Sequence, residues 1–351
     1  MAQDNDIKFM RRCLDLAGKA EGMTYPNPQV GSVIVHNDNI IGEGYHFRAG
    51  EPHAEVNAIN SVKNRELLGN SVLYVSLEPC SHYGKTPPCA ELIVSSGIKK
   101  VIVGTIDTSE KVAGKGIMFL KNAGCEVVTG VLENECRWIN RRFFAYNEKK
   151  RPYIILKWAQ SADGYLDYER DKSSSGKPVW ITGNPERVLV HRWRAAEQAI
   201  LAGAGTIRSD NPQLNVRYWT GADPVRVILS RSGMLDSESA VFRTNGTSIV
   251  FTLNDRSNIS NSYIVKLNNN ASSASQVAGW LHGKGIQSVL VEGGAQVLNH
   301  FISEDLWDEA RIFTGKHLFR KGVRAPDLKG KILEESEFEL SNLVVVLNIR
   351  E

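Results

Sequence analysis

The sequence predicts two consecutive α/β domains, and three observations lead to this fold class. A length of 351 residues exceeds one ordinary domain and suits two, each large enough to bury its own core. Short apolar runs alternate with segments of helical periodicity in both halves. Arg151-Pro152 interrupts the pattern, because proline ends a preceding regular segment. We therefore expect domains at residues 1–149 and 150–351.

The first half begins with an amphipathic helix and a hairpin. Apolar residues at helical spacing from Ile7 to Ala17 predict a helix that ends near Gly22. Apolar runs at 30–35 and 40–45, separated by Asn37-Asp38-Asn39, predict the hairpin. Regular alternation then follows, with helices expected from about residue 54, at 89–95 and at 117–122, and strands at 72–77, 100–106 and 126–128. These elements predict an α/β sandwich.

The second half repeats the order strand, helix, strand, which predicts a parallel α/β arrangement. Asn184-Pro185 is a suitable helix start, with Asn184 as N-cap and proline at the first helical position, and this helix should run to about Ala196. Strands are expected at 154–157, 199–201, 225–229, 249–251, 289–291, 312–313 and 344–347.

Composition excludes several function classes. A net charge of +3 and a charged fraction of 23% describe a protein whose basic residues are scattered, so no nucleic-acid partner is implied. The N-terminus lacks a basic, apolar leader, and no stretch approaches the roughly 20 apolar residues of a membrane span. We expect a cytoplasmic protein. Cys13, Cys125 and Cys136 are expected to be reduced, buried thiols.

The pattern His53-Ala54-Glu55, followed by Cys80 and Cys89, predicts a hydrolytic zinc centre. One histidine and two thiolates leave one zinc position open for water, whose pKa falls to about 7. Glu55 can move the protons, since deamination requires protonation of the leaving amine. His53 and Cys89 are expected in the first turns of two helices, where the helix dipole favours a thiolate.

Two structural alternatives exist for this pattern. The cysteines can be ordinary buried thiols, because a His-Ala-Glu triplet is common by itself. A closed structural zinc site would need a fourth ligand, for which His82 is the nearby candidate. That arrangement would leave Glu55 without a task, and the sequence therefore favours the open, catalytic metal site.

The segments Pro26-Asn27-Pro28-Gln29-Val30-Gly31 and Gly44-Tyr45-His46, together with the metal motif, resemble the deaminase half of the bifunctional riboflavin-biosynthesis deaminase/reductases. The resemblance implies a cytidine-deaminase-like α/β/α sandwich. Eight residues separate the two cysteines, whereas cytidine deaminases and nucleic-acid editors usually carry Cys-x-x-Cys. By the same resemblance Asn27, His46 and Lys85 line the substrate pocket, and Lys85 suits a phosphate.

The second half is similar to the reductase half of that family, which has a dihydrofolate-reductase-like fold. The glycine turn Val291-Glu292-Gly293-Gly294-Ala295 after a strand is a weak phosphate-binding signal by itself. The resemblance implies NADPH as cofactor. We expect Lys157 and Glu292 to be the polar groups near the ribose, where reduction requires proton movement beside hydride transfer. It further implies substrate binding by Arg194, Leu214, Arg217 and Glu292, and NADPH binding by Ser161, Trp180, Thr206, Asp210 and Gly294.

The second half departs from the family pattern, and the change at Leu229-Ser230-Arg231 lies near the expected cofactor groove. Ser161-Ala162-Asp163-Gly164 replaces the usual Ser-Leu-Asp-Gly, and Leu229-Ser230-Arg231 stands where Leu-Asp is frequent. Arg231 can pair with the 2′-phosphate that distinguishes NADPH from NADH.

The implied function is zinc-dependent deamination of 2,5-diamino-6-ribosylamino-4(3H)-pyrimidinone 5′-phosphate, followed by NADPH-dependent reduction of the ribosyl group to ribityl. We expect a homo-oligomer that acts on this small molecule. Two rival functions are a nucleic-acid deaminase with an accessory domain and a non-catalytic pyrimidine or dinucleotide sensor. Scattered basic charge argues against the first, and an intact Glu55 against the second.

Overall fold

The computed structural model describes residues 4–83, 87–109, 112–168, 180–254, 259 and 262–349. The chain divides into two compact units, Met1–Lys150 and Arg151–Glu351, each with its own core. Within the described residues, no helix combines the length and apolar character needed to cross a bilayer.

The first unit is built from helices, strands and one 3-10 turn. In chain order they are α1 (Asp4–Gly18), β1 (Gly31–His36), β2 (Asn39–Tyr45), α2 (Ala54–Ser61), the 3-10 turn (Arg65–Asn70), β3 (Val72–Leu77), α3 (Cys89–Ser95), β4 (Lys100–Thr105), α4 (Lys115–Asn122), β5 (Glu126–Thr129), α5 (Glu133–Ile139) and α6 (Arg141–Lys149). The predicted strands and helices are present, and sequence reasoning missed α5 and α6. The first helix ends earlier than expected, at Gly18, and hydrogen-bonded turns follow it.

The described strands of the first unit form one sheet in the order β2-β1-β3-β4-β5. The predicted hairpin is confirmed, because β1 and β2 are antiparallel, whereas β3, β4 and β5 run parallel. One core cluster includes Ile34, Ile59 and Val103, and a second includes Phe9 and Ile102. The carboxyl end of β3 and the amino ends of α2 and α3 carry the predicted metal ligands.

The second unit contains a longer series of elements. They are β6 (Tyr153–Gln160), β7 (Tyr165–Tyr168), α7 (Asn184–Ala196), β8 (Ala199–Gly203), α8 (Ala204–Asp210), β9 (Val225–Leu229), α9 (Ala240–Arg243), β10 (Ser248–Thr252), β11 (Tyr263–Lys266), α10 (Ser273–Gly283), β12 (Ser288–Val291), α11 (Ala295–Ser303), β13 (Glu309–Gly315), β14 (Gly322–Arg324), β15 (Lys331–Glu337) and β16 (Ser341–Leu347). Sequence reasoning missed the strands β7, β11, β14 and β15.

Most of the second unit's described strands lie in one sheet, ordered β11-β10-β9-β8-β12-β6-β13-β16-β15. The strands from β11 to β13 are parallel, as predicted, and β16 and β15 add an antiparallel edge. The predicted N-cap of α7 was wrong by one residue. Gly183 takes that position in an extended conformation (φ −87°, ψ −167°), and Asn184 already belongs to the helix.

Candidate active sites

The predicted metal ligands come together in the first unit. His53 is the N-cap of α2, Cys89 opens α3, and Cys80 follows β3. Nδ1 of His53 lies 3.6 Å from Sγ of Cys80 and 3.3 Å from Sγ of Cys89. The three donor atoms lie within 4.8 Å of one another. The backbone N–H of Cys89 donates to Sγ of Cys80 at 3.3 Å, so the start of α3 already orients one thiolate.

This donor set fits zinc. Bonds of about 2.0–2.3 Å at tetrahedral angles place two ligand atoms roughly 3.3–3.8 Å apart, which matches the spacing of His53 and the two sulfurs. Hydrogen bonding to Cys89 and to His53 lowers the pKa of Cys80 to about 4, although burial opposes the shift. His82 is exposed and lies outside the group, so within the described chain the cluster has three ligands, as a catalytic site requires.

Glu55 lies in the first turn of α2, two residues after His53, and is 3% exposed. Burial, reinforced by the nearby Cys80 sulfur, raises the pKa of Glu55 to about 7. A carboxyl group whose pKa lies near neutrality can both accept and release a proton at neutral pH.

Asn27 and His46 form a hydrogen-bonded pair beside this cluster. Nδ1 of His46 lies 3.2 Å from the carbonyl oxygen of Pro52, which can only accept, so Nδ1 carries the proton. Nε2 of His46 then accepts from the side-chain amide of Asn27 at 3.0 Å. The His46 ring packs edge-on against the ring of His53, with centroids 5.2 Å apart. Lys85, the third predicted pocket residue, lies outside the described residues.

The buried carboxylate of Glu78, which sequence reasoning missed, anchors the loop that carries Cys80. It accepts backbone N–H bonds from Asp107 (3.2 Å), Gly114 (2.9 Å), Gly116 (2.9 Å) and Ile117 (3.2 Å). A side chain on Gly116 would place its Cβ 2.0 Å from the carbonyl oxygen of Pro79. The strand end before Cys80 is therefore fixed against the start of α4.

In the second unit, a cavity of about 1250 Å³ collects most of the predicted reductase residues. This volume exceeds the roughly 300–1,000 Å³ typical of a site for one drug-sized ligand, and it suits a dinucleotide with a second substrate. The predicted residues that line it are Lys157, Trp180, Arg194, Thr206, Asp210, Leu214, Arg217, Glu292 and Gly294. Arg231 is exposed and also lines this cavity.

Lys157, Arg194 and Glu292 form a largely buried charged group in the cavity wall. Arg194 donates to both carboxylate oxygens of Glu292, from Nε at 2.9 Å and from Nη2 at 2.8 Å. Nζ of Lys157 lies 3.9 Å from Glu292 Oε2. Burial by itself would raise the pKa of Glu292, but the charges of Arg194 and Lys157 outweigh it and lower that pKa to about 2. Burial lowers the pKa of Lys157.

Ser161 and the glycine turn differ in their access to the cavity. The Ser161 hydroxyl donates to Asp163 at 2.7 Å and accepts from the Tyr165 N–H at 3.0 Å, and the residue does not line the cavity. Gly294 is the N-cap of α11 and faces the cavity. A Cβ on Gly293 would lie 2.7 Å from Cβ of Val297, so glycine keeps the backbone close to the helix. The cavity size and this open turn fit a dinucleotide.

Fold and sites define a bifunctional α/β enzyme with a zinc deaminase centre in its first unit and a dinucleotide-dependent reductase in its second. Residues 3–105 match the cytidine and deoxycytidylate deaminase zinc-binding region, and residues 152–329 match the RibD C-terminal domain. The chain belongs to the RibD family of riboflavin-biosynthesis deaminase/reductases, which use zinc in the deaminase unit and NADPH in the reductase unit, whose fold is dihydrofolate-reductase-like.

Known relatives and solved structures are similar to this chain over nearly its full length. The riboflavin biosynthesis protein RibD of Aquifex aeolicus is 38% identical over 346 residues, covering 96% of this chain and 94% of the relative. The riboflavin biosynthesis protein RibD of Bacillus amyloliquefaciens is 39% identical over 330 residues, which cover 91% of this chain and 86% of the relative. A similar solved structure is the crystal structure of a diaminohydroxyphosphoribosylaminopyrimidine deaminase/5-amino-6-(5-phosphoribosylamino)uracil reductase from Thermotoga maritima. It matches with a TM-score of 0.89 at 38% sequence identity, and the match covers 98% of this chain and 99% of that one. The two rival functions are therefore set aside.

Proposed function

We propose that the first unit hydrolytically deaminates 2,5-diamino-6-ribosylamino-4(3H)-pyrimidinone 5′-phosphate. The second unit then reduces the ribosyl side chain with NADPH to give 5-amino-6-(5-phosphoribitylamino)uracil. The observation that carries the first step is the convergence of His53, Cys80 and Cys89 beside the buried carboxyl group of Glu55. We assign the deaminase to residues 1–149 and the reductase to 150–351.

In the deaminase, His53, Cys80 and Cys89 hold zinc, which when bound activates the attacking water. Glu55 takes a proton from that water and returns it to the departing amine, which leaves as ammonia. Its pKa of about 7 suits both transfers at neutral pH.

Asn27 orients the pyrimidine through its free side-chain oxygen, because His46 holds the amide nitrogen. Lys85 binds the substrate phosphate as a mobile point charge. Polar groups that are fixed in this way hold the reacting carbon of the ring in one position.

In the reductase, Lys157 and Glu292 lie beside the ribosyl group and move the proton that accompanies hydride transfer. NADPH supplies the hydride when it is bound. Glu292 stays ionised because Arg194 and Lys157 face it, and the buried Lys157 has a lowered pKa that favours proton donation. Arg194, Leu214 and Arg217 hold the substrate. The residues that line the cofactor side are Trp180, Thr206, Asp210 and Gly294, with Ser161 contributing through its loop.

We further propose a cytoplasmic homo-oligomer without nucleic-acid partners. Five free cysteines suit a reducing compartment. The edge strand β15 exposes Ile332 and Leu333, which a second subunit can cover. Light scattering at several protein concentrations tests self-association.

Mass analysis of the product tests the two activities. With zinc and no NADPH, the diaminopyrimidine should exchange one amino group for oxygen. Addition of NADPH should add two hydrogens to that product. A chelator should stop the first change and leave NADPH oxidation with already deaminated substrate intact. An unchanged substrate with the zinc-loaded enzyme would contradict the proposal.

A further inference from the structure

The guanidinium group of Arg187 lines the reductase cavity without a carboxylate partner. Its Cζ lies 3.9 Å from the centroid of the Trp180 ring and 5.7 Å from that of Tyr218. Its Nε is buried and makes no hydrogen bond, and no ion pair to Arg187 occurs in the part of the chain that the structure describes. Stacking occupies the face of the guanidinium and leaves its N–H edge available.

Arg187 belongs to a row of cavity-lining residues on one face of α7. Arg187, His191 and Arg194 are spaced four and three positions apart, so they share that face. The backbone N–H of Arg217 donates to Nδ1 of His191 at 2.9 Å, which adds a third arginine, from the neighbouring loop. The guanidinium carbon of Arg217 lies 5.9 Å from the centroid of the Tyr218 ring, and that of Arg187 lies 5.7 Å from the same centroid.

The electrostatics of His191 reflect this convergence of positive charge. Burial, together with the charges of Arg194, Arg217 and Arg187, lowers the pKa of His191 to about 4. The imidazole is therefore neutral near pH 7 and adds no charge of its own. The positive charge at this end of the cavity is carried by the arginines.

Most of the N–H groups of Arg194 are used within the protein. Its Nε and Nη2 donate to Glu292, and its Nη1 donates to the carbonyl oxygen of Asn215 at 3.2 Å. These bonds use three of the five N–H groups of a guanidinium. Its charge is also matched by Glu292. On this helix face, Arg187 is the arginine whose guanidinium group neither donates hydrogen bonds to other residues of the described chain nor pairs with a carboxylate there.

We propose that Arg187 is a phosphate-binding residue of the reductase cavity, acting together with Arg217. The inference deepens the proposed function and rests on it. A planar guanidinium matches the oxygens of a phosphate monoester, and a bound phosphate would satisfy the buried Nε. Both the substrate and NADPH carry phosphate groups. Arg187 shares a helix face with Arg194 and lies near Arg217, two residues that we assign to the substrate, which favours the substrate's phosphate. Its stacking on Trp180, which we assign to NADPH, leaves the cofactor as the other source.

The test compares Arg187→Ala and Arg187→Lys with the wild type and with the control Arg192→Ala. Arg192 is an exposed arginine on the same helix and does not line the cavity. If the substrate's phosphate is the ligand, Arg187→Ala should raise KM for the phosphorylated, deaminated substrate about 10- to 100-fold with kcat changed only a few-fold. The dephosphorylated substrate should show no such effect, and the Kd of NADPH, followed by fluorescence quenching, should stay constant.

If a cofactor phosphate is the ligand, the Kd of NADPH should rise by a similar factor and KM for the substrate should not. Either result supports phosphate binding and identifies its source. Equal losses with the phosphorylated and dephosphorylated substrates, or no change in KM and Kd, would overturn the proposal and leave Arg187 a stacking partner of Trp180. Arg187→Lys keeps the charge and loses the planar fork, so it should lie between the wild type and Arg187→Ala.

Two controls separate the possible failures. Circular dichroism reports whether each variant folds. If Arg187→Ala does not fold, isothermal calorimetry compares the affinity of the wild type and of Arg187→Lys for inorganic phosphate. Weaker phosphate binding by Arg187→Lys supports the proposal, and equal binding overturns it. A wild-type enzyme that oxidises no NADPH would contradict the proposed reductase, whereas the phosphate titration would still decide the role of Arg187.

Discussion

Asn27 donates a hydrogen bond from its side-chain amide to Nε2 of His46, at a distance of 3.0 Å. The other ring nitrogen of His46 is used by the carbonyl oxygen of Pro52. Burial lowers the pKa of His46, which keeps the ring neutral and Nε2 available as an acceptor. Both nitrogens are thus engaged by the protein, so in the proposed deaminase His46 would act on the substrate through the orientation of Asn27.

This relationship predicts coupled effects of mutation. Asn27→Ala and His46→Ala should each raise the deaminase KM about 10-fold, corresponding to one lost hydrogen bond of roughly 1.4 kcal/mol. The double variant should be little worse than either single variant, because His46 acts through Asn27. Steady-state kinetics of the three variants, with zinc content as control, measure the coupling. Multiplicative losses would show that His46 contacts the substrate independently.

Replacement of Glu55 should separate metal binding from proton transfer. Glu55→Gln preserves the shape of the side chain and removes its ability to accept a proton, so deamination should fall by a factor of about 10² to 10⁴. Zinc content and NADPH oxidation with deaminated substrate should stay at wild-type values. Cys80→Ser is the matched comparison and should lose zinc. Near wild-type deamination by Glu55→Gln would remove this carboxyl group from the mechanism.

The carboxylate of Glu78 should contribute strongly to the stability of the first unit. Glu78→Gln keeps one acceptor oxygen and leaves part of its set of buried N–H groups without a partner, which should cost about 2–4 kcal/mol of unfolding free energy. Zinc affinity should fall as well, because Cys80 lies two residues further on. Urea unfolding and metal titration measure both effects. Glu126→Gln, which removes an exposed ion pair with Lys100, should change stability by less than about 1 kcal/mol.

Removal of Arg194 should make the reductase sensitive to pH. In the wild type, the pKa of Glu292 is about 2, so the carboxylate stays ionised at every working pH. Arg194→Ala removes the larger of the two opposing charge effects and leaves mainly Lys157 to counter burial, so the pKa of Glu292 should rise from its wild-type value. Activity of the variant should then be low at acidic pH and recover as pH rises. A pH profile of kcat/KM parallel to that of the wild type would contradict this role.

The metal centre could be predicted from sequence because its ligands lie in two short segments, with His53 and Cys89 at helix starts and Cys80 shortly after a strand. His53, Cys80 and Cys89 are fixed by local structure, and their spacing carries chemical information. The role of Glu78 could not be predicted in this way, because its partners are backbone groups of a distant loop and helix. Backbone donors leave no residue pattern in the sequence.

The reductase cavity was predictable only in part. Glu292 follows a strand and precedes a glycine turn, which marks it as a site residue, whereas Arg187 resembles any charged residue on an exposed helix. Its place in the cavity becomes visible only from its contacts with the rings of Trp180 and Tyr218, which the sequence does not reveal. Ser161, by contrast, was predicted to bind the cofactor, but its hydroxyl group makes hydrogen bonds within its own loop.

The thiols of Cys80 and Cys89 have a further consequence for the whole chain. A hydrogen bond between the two sulfurs lowers the pKa of Cys80 and raises that of Cys89, so the pair combines a thiolate with a neighbouring thiol. Such a pair oxidises readily. The sequence has five cysteines, all before residue 137, and the reductase unit contains none. A disulfide between Cys80 and Cys89 would remove two of the three zinc ligands, whereas the reductase unit has no thiol to oxidise. Oxidation would therefore abolish the earlier of the two reactions and leave the later one intact.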